Sequence, residues 1–213
     1  INASALKEAG ARLTSAHPEL EVLAIAAEYG PGLEVALRRV LERKLVLFLG
    51  GNIGNFERPA AAAFLRDLAA RLDPQDAFLI GVDLRKDRKT LELAYDDPAG
   101  VTARFNLNLL ARINRELGGD FDLDRFRHEA TYDERQGVVR MHLVSVARQT
   151  VRIRALRRSF LFEAGERIHT EDSTKYSLEE IGELAEASGM RLAEHWTDEF
   201  QRFSLNLFER VDA

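Results

Sequence analysis

Lys44 to Phe56, KLVLFLGGNIGNF, decides how the rest of the chain is read. Leu45 to Leu49 is an unbroken apolar run rich in β-formers, the pattern of a strand covered on both faces. It breaks into Gly50-Gly51-Asn52-Ile53-Gly54-Asn55, whose glycines let the backbone turn sharply and come close to a bound group. A helix is expected from about Pro59. A buried strand that ends in a Gly/Asn loop before a helix is where open α/β sheets place their ligands. The substrate is therefore expected over this loop.

Upstream, Ala3 to Ala16 sets Leu6, Ala9 and Leu13 on one helical stripe and stops before His17-Pro18. Leu20 to Ala26 reads as a short strand that ends at Ala27-Glu28-Tyr29, with Gly30-Pro31-Gly32 as a breaker. Gly32 to Arg43 returns to helical spacing. Downstream, Pro59 to Leu72 reads as a helix, Asp73 to Asp76 as a turn and Ala77 to Val82 as a buried strand. This alternation is the rhythm of an α/β protein with a parallel, doubly wound sheet.

Beyond Asp83 the rhythm changes. Asp87 to Tyr95 and Gly100 to Leu117 read as helices, and alternation from Phe126 to Leu143 reads as a β-hairpin. Gln149 to Ile153 and Ser159 to Phe162 add two strands. Ser177-Leu178-Glu179-Glu180 has capping-box spacing for a helix stopped by Gly189. Met190 to Trp196 and Phe203 to Glu209 are expected to pair antiparallel at the end of the sheet. The expected division is an α/β core of residues 1–84 and 177–213, with residues 85–176 inserted as an α+β substrate-binding domain.

A formal net charge of −5 over 213 residues argues against a broad nucleic-acid-binding face. With no cysteine there is no disulfide, thiolate metal site or cysteine nucleophile. No run of about 18 apolar residues suggests a membrane span, and no signal peptide is visible, so a cytoplasmic location is expected. The five histidines show no metal-binding spacing, and no metal site is expected. There is no G-x-G-x-x-G, P-loop or G-x-S-x-G.

Several residues could carry chemistry. Asn52 and Asn55 offer donors and an acceptor suited to an amino acid, although asparagine also simply tolerates left-handed turns. Glu28 could accept from an adenine amine or a ribose hydroxyl, or stand solvated in a loop. Asp83-Leu84-Arg85-Lys86-Asp87 is most simply a solvated helix start. Two acids after Tyr95, at a helix's negative end, are a local misfit that hints at a role. In Ile168-His169-Thr170-Glu171-Asp172-Ser173, an extended backbone would set Glu171 and Ser173 on one face. A carboxylate beside a hydroxyl can grip both nitrogens of an imidazole; a plain surface loop fits the same pattern.

LFLGGNIGNF, DLRKD, AYDDPAGVTARFNLNLLARINRELGGDFD and IHTEDSTKYS, in this order and spacing, resemble the histidine Nα-methyltransferases of ergothioneine biosynthesis. The resemblance runs from Asn2 to the C-terminus. It implies a methyltransferase sheet for S-adenosylmethionine and an inserted domain over L-histidine, which is methylated three times to hercynine. By the same resemblance Asn55 holds the amino-acid end of histidine, Tyr95 contacts its carboxylate, and Glu171 and Ser173 read the imidazole. Glu28 and Tyr29 are similar to the pair beside the adenine, where the family usually shows Asp-Phe; Glu28 is longer by a methylene. The family's Gly-rich cofactor loop and ribose-binding acid would precede Ile1. The resemblance therefore implies a sheet incomplete on its N-terminal side, with a first segment supplied elsewhere.

Methyl transfer from a sulfonium needs a neutral amine aimed at the methyl carbon, and the enzyme mainly orients and desolvates the partners. No residue is an obvious dedicated base, so no catalytic residue is assigned, and proton loss to water is expected. Two other functions fit: a non-catalytic amino-acid-binding module without the cofactor loop, and a methyltransferase for another amino acid or amine.

Overall fold

The computed structural model describes residues 2–211. Helix α1 (Ala3–Ala16) is capped by the Asn2 side chain, which accepts from the Ala5 N–H at 3.1 Å. The next expected element is absent: Leu20 to Ala26 is irregular, and most of it is exposed. A β-prone run becomes a strand only where a neighbour completes its ladder and covers a face. Helix α2 (Tyr29–Leu37) starts earlier than expected and takes Gly30-Pro31-Gly32 into its first turn. The amide that proline lacks would have no intrahelical partner there, so the expected breaker is tolerated.

Among the described residues strand β1 (Leu45–Phe48) is at the edge of the main sheet, and it is not covered on both faces as its apolar run suggested. Leu45 and Leu47 are 56% and 55% exposed, while Phe48 turns inward against Phe64 and Phe78. After α3 (Arg58–Ala69), which carries Pro59 in its first turn, comes β2 (Ala77–Asp83), parallel to β1 and buried through most of its length. Buried Asp76 ties the two together. Its carboxylate accepts from the Lys44 and Asp73 amides, each at 2.8 Å, and lies 3.0 Å from the Lys44 ammonium.

Two helices follow, α4 (Arg88–Tyr95) and α5 (Val101–Leu117), and then the expected hairpin, β3 (Phe126–Asp133) with β4 (Val138–Ser145). Strands β5 (Gln149–Ile153) and β6 (Arg158–Phe162) pair with each other. The polar stretch that fitted either an extended segment or a surface loop is a strand, β7 (Arg167–Thr174), antiparallel to β4. Its polar side chains hid the alternation that marks a strand.

Helix α6 (Leu178–Ala187) starts in the expected capping box of Ser177 and Glu180 and is followed by left-handed Gly189 (φ 76°). Strands β8 (Met190–Thr197) and β9 (Phe203–Arg210) then pair antiparallel. The main sheet has the order β1-β2-β9-β8 and the second sheet β3-β4-β7; among the described residues the main sheet is mixed rather than parallel, since only β1 and β2 run parallel and the C-terminal hairpin adds two antiparallel neighbours. One core gathers Ile53, Leu65, Phe78, Ile80, Ile181 and Phe208 around the main sheet. A second joins Leu110 of α5 to Phe121, Phe126 and Leu143. The two sheets meet where Leu84 and Tyr176 form a parallel bridge, with Tyr176 N–H donating to Asp83 O at 3.1 Å and Arg85 N–H to Tyr176 O at 2.9 Å. Among the described residues no helix is long and apolar enough to cross a membrane.

Candidate functional site

The loop after β1 is built by close approach. Gly50 and Gly51 take positive φ, 81° and 74°, and Asn52–Asn55 closes as a single 3-10 turn. A Cβ on Gly54 would lie 2.7 Å from the Thr174 carbonyl oxygen, so only glycine lets the turn rest on the end of β7. Thr174 answers with its hydroxyl, which donates to Phe56 O at 3.2 Å. The two asparagines divide the work. Asn52 donates to Leu49 O at 2.8 Å and shapes the turn, whereas Asn55 lines a cavity of about 540 Å³.

Glu171 lines the same cavity, with Glu57, Phe105 and His169. His169 Nε2 lies 2.7 Å from Asp172 Oδ1. Asn55 and Glu171, far apart in sequence, therefore share one space. Ser173 follows on the same face of β7, since residues two apart in a strand point the same way. The Tyr95 hydroxyl and Ser173 Oγ share a hydrogen bond at 2.8 Å. Behind them is buried Lys175, whose ammonium donates to Tyr95 Oη at 2.6 Å and Ser173 Oγ at 2.9 Å and pairs with Asp83 Oδ2 at 2.6 Å. Asp83 also pairs with Lys86.

Tyr95 is held from its backbone as well. Its carbonyl lies 2.7 Å from His128 Nε2, and the buried Asn106 amide lies 3.0 Å from His128 Nδ1. A carbonyl only accepts, so Nε2 donates to it, and Nδ1 faces the Asn106 amide.

Glu28 and Tyr29 do not end a strand, since none forms there; they stand at the N-terminus of α2. They line a second cavity of about 870 Å³, with Leu6, Ile25, Phe56 and Phe64. Tyr29 packs on Phe48 and Phe64 at ring distances of 5.4 and 5.8 Å, and Phe56 stacks on Phe64 at 5.3 Å. Apolar and aromatic walls with one carboxylate suit a purine that carries an amino group. Asn55 and Phe56 are consecutive, so one loop touches both cavities.

Two charged stretches differ from expectation. In DLRKD only Asp87 serves as a helix start, accepting from Thr90 N–H at 2.9 Å. Leu84 is buried, Asp83 binds Lys175, and Arg85 makes a two-pronged bond to Glu180 at 2.9 and 2.6 Å. Burial pushes the Glu180 carboxyl up, but Arg85, the Ser177 amide and Arg58 together hold it below its usual range. The misfit after Tyr95 has a local cause. Asp97 caps the next helix, accepting from Thr102 and Val101 N–H at 2.8 and 2.9 Å, and these bonds lower its pKa to about 2. Nothing in the sequence marks Lys175 as buried except that it continues the Glu171, Ser173 alternation by one step.

The fold is that of an S-adenosylmethionine-dependent methyltransferase. Superposed on such an enzyme from Clostridium acetobutylicum, the structure matches over 99% of this chain and 73% of that one, with a TM-score of 0.50 at 13% identity. Residues 1–210 match the model of the SAM-dependent, histidine-specific methyltransferases, and the chain belongs to that family. It is 42% identical over 213 residues to the histidine N-alpha-methyltransferase of Mycolicibacterium smegmatis, covering 99% of this chain and 65% of that protein. It is 35% identical over 160 residues to ergothioneine biosynthesis protein 1 of Schizosaccharomyces pombe, covering 75% of this chain and 20% of that protein. The chain thus spans about two thirds of the length of its mycobacterial relative.

Proposed function

We propose that the protein trimethylates the α-amino group of L-histidine to hercynine, as a cytoplasmic step of ergothioneine biosynthesis. The observation that carries this reading is the shared cavity of Asn55 and Glu171, with Phe56, the next residue, lining the aromatic cavity of Glu28 and Tyr29. Residues 85–176 act as an inserted substrate-binding domain on the core of 1–84 and 177–213. Asn55 and Tyr95 hold the amino and carboxylate end of histidine, and Glu171 and Ser173 grip the two ring nitrogens. Glu28 and Tyr29 hold the adenine of S-adenosylmethionine, which supplies an electrophilic methyl group when bound. The amine must be neutral at each attack, and the open cavity lets water take its proton. The residues contribute chiefly by orienting the amine, the effect that fixed geometry supplies in such reactions.

Mass spectrometry of the full-length protein incubated with S-adenosylmethionine and histidine tests this directly: mono-, di- and trimethylated histidine are expected in succession. Glu171→Ala should weaken histidine binding roughly tenfold or more, the worth of a hydrogen bond to a charged group. Unchanged affinity would remove Glu171 from the ring-reading role. Methylation of a non-imidazole amino acid in preference to histidine would move the substrate elsewhere in the family.

A further inference from the structure

The arginines of the chain are not spread evenly. Residues 148–162, which hold the β5–β6 hairpin, carry five arginines and no acidic residue, although the whole chain has a formal net charge of −5. Arg148 pairs with Glu163. Arg152, Arg154, Arg157 and Arg158 are exposed and make no ion pair or side-chain hydrogen bond among the described residues. Leu156 and Leu161 stand among them, 53% and 51% exposed. No residue of this segment lines either of the two cavities, so the cluster is separate from the site already described.

The backbone is unfinished in the same place. β5 is covered on one side by the chain at Gly119, through a bridge to Ile153 and a bond from Asp120 N–H to Arg152 O at 3.2 Å. β6 pairs with β5 alone, so among the described residues its outer edge has no partner. Alternate residues of an antiparallel strand turn their N–H and C=O groups away from the neighbour, and such an edge is a template for another strand. Edge charges ordinarily keep other chains off. Charges of one sign beside bare leucines instead sort the chains that approach.

We propose that the β6 edge is a docking site for an extended acidic segment of another protein, which adds a strand to the hairpin. The segment's backbone completes the ladder. Successive residues of β6 face opposite ways, which puts Arg158 on one face and Leu161 on the other. Alternate carboxylates of the added strand meet Arg158, with Arg154 and Arg157 at the hairpin's end, and the apolar residues between them cover Leu161. An anionic lipid surface or a nucleic acid would use the charge and leave the edge unpaired. A second copy joined edge to edge about a twofold axis would set the arginines of one hairpin against those of the other. An acidic strand is the occupant that uses the charge, the leucine and the edge together.

Fluorescence anisotropy on the full-length protein tests this with a labelled peptide of alternating glutamate and valine. Saturable binding is expected. Arg154→Glu combined with Arg158→Glu should weaken it roughly tenfold, the scale of two opposite-charge pairs between strands turned into like-charge ones. Methylating alternate amides of the peptide keeps its charge and removes its edge hydrogen bonds, so binding should weaken here too. Equal affinity for the methylated and unmethylated peptides would reduce the contact to charge alone and overturn the proposal. Should the double variant fail to fold, this comparison leaves the protein unaltered and decides by itself. No saturable binding to the unaltered protein would also overturn the proposal. So would tighter binding to phosphatidylserine vesicles than to the peptide, or self-association in sedimentation that the double variant abolishes.

Discussion

The two walls of the site are built by different physics. The wall of Tyr95, Ser173 and Lys175 is a closed set of short polar bonds with its lysine buried, fastened to β2 through Asp83. The wall of Glu28 and Tyr29 rests on ring-to-ring contacts with Phe48 and Phe64, and it belongs to a stretch in which α1, α2 and β1 contain no fully buried residue. Directional bonds in a buried setting hold atoms to fixed positions, whereas apolar contact tolerates small shifts. The difference suits the ligands proposed for each side. Telling an imidazole from other rings needs fixed donors and acceptors, while holding a purine needs flat apolar surface.

The largest expected effect lies where the two walls meet. Ile53, fully buried beneath the loop, should cost about 2–5 kcal/mol when cut to alanine. Urea unfolding measures this, and Leu13→Ala in α1, at a half-exposed position, should stay within about 0.5 kcal/mol in the same assay. Comparable losses at both sites would erase the contrast. Gly54→Ala is expected next, at about 1–3 kcal/mol, because its methyl must push the turn off Thr174. On the proposed reading histidine affinity falls with it, since Asn55 rides on the same turn.

What the sequence shows of these walls follows from the range of each interaction. The capping box at Ser177, the Gly189 stop and the β3–β4 alternation are local, and each stands in the structure where its pattern places it. Asn55 and Glu171 line one cavity and Tyr95 bonds Ser173, contacts between residues far apart in sequence that local pattern alone does not reveal. What misleads is anything decided by a distant partner. The apolar run of β1 could not reveal that its strand lies at an edge, nor Leu20–Ala26 that it goes unpaired. The charges of DLRKD look solvated because their partners, Lys175 and Glu180, lie some ninety residues on. β7 reads equally as an extended segment or a loop because its buried side chains are polar, and a hydrophobic period cannot decide between them.

Two smaller effects sharpen the comparison. Tyr29→Ala removes a half-exposed ring and should cost about 1 kcal/mol or less. On the proposed reading it weakens S-adenosylmethionine binding in calorimetry and leaves histidine binding nearly unchanged, showing that the walls act separately. Equal losses for both ligands would join them into one unit.

The smallest effect is a titration. The Asp97 carboxyl is lowered from 3.8 to about 2 by the Thr102 and Val101 amides that it caps. A depressed acid contributes stability that is complete above its unfolded pKa and is lost as pH falls through the folded one. The support that Asp97 gives α5 should therefore be intact above about pH 4 and disappear toward pH 2. Because Asp97 follows Tyr95 by two residues, that loss bears on the substrate wall first. NMR of the Asp97 carboxyl should place its midpoint near 2. Asp97→Asn should flatten the acid slope of stability in that window without changing stability's response to pH near neutrality. A midpoint near 3.8 would mean that the cap is open in solution, and the turn joining Tyr95 to α5 would then be less firmly built than the rest of its wall.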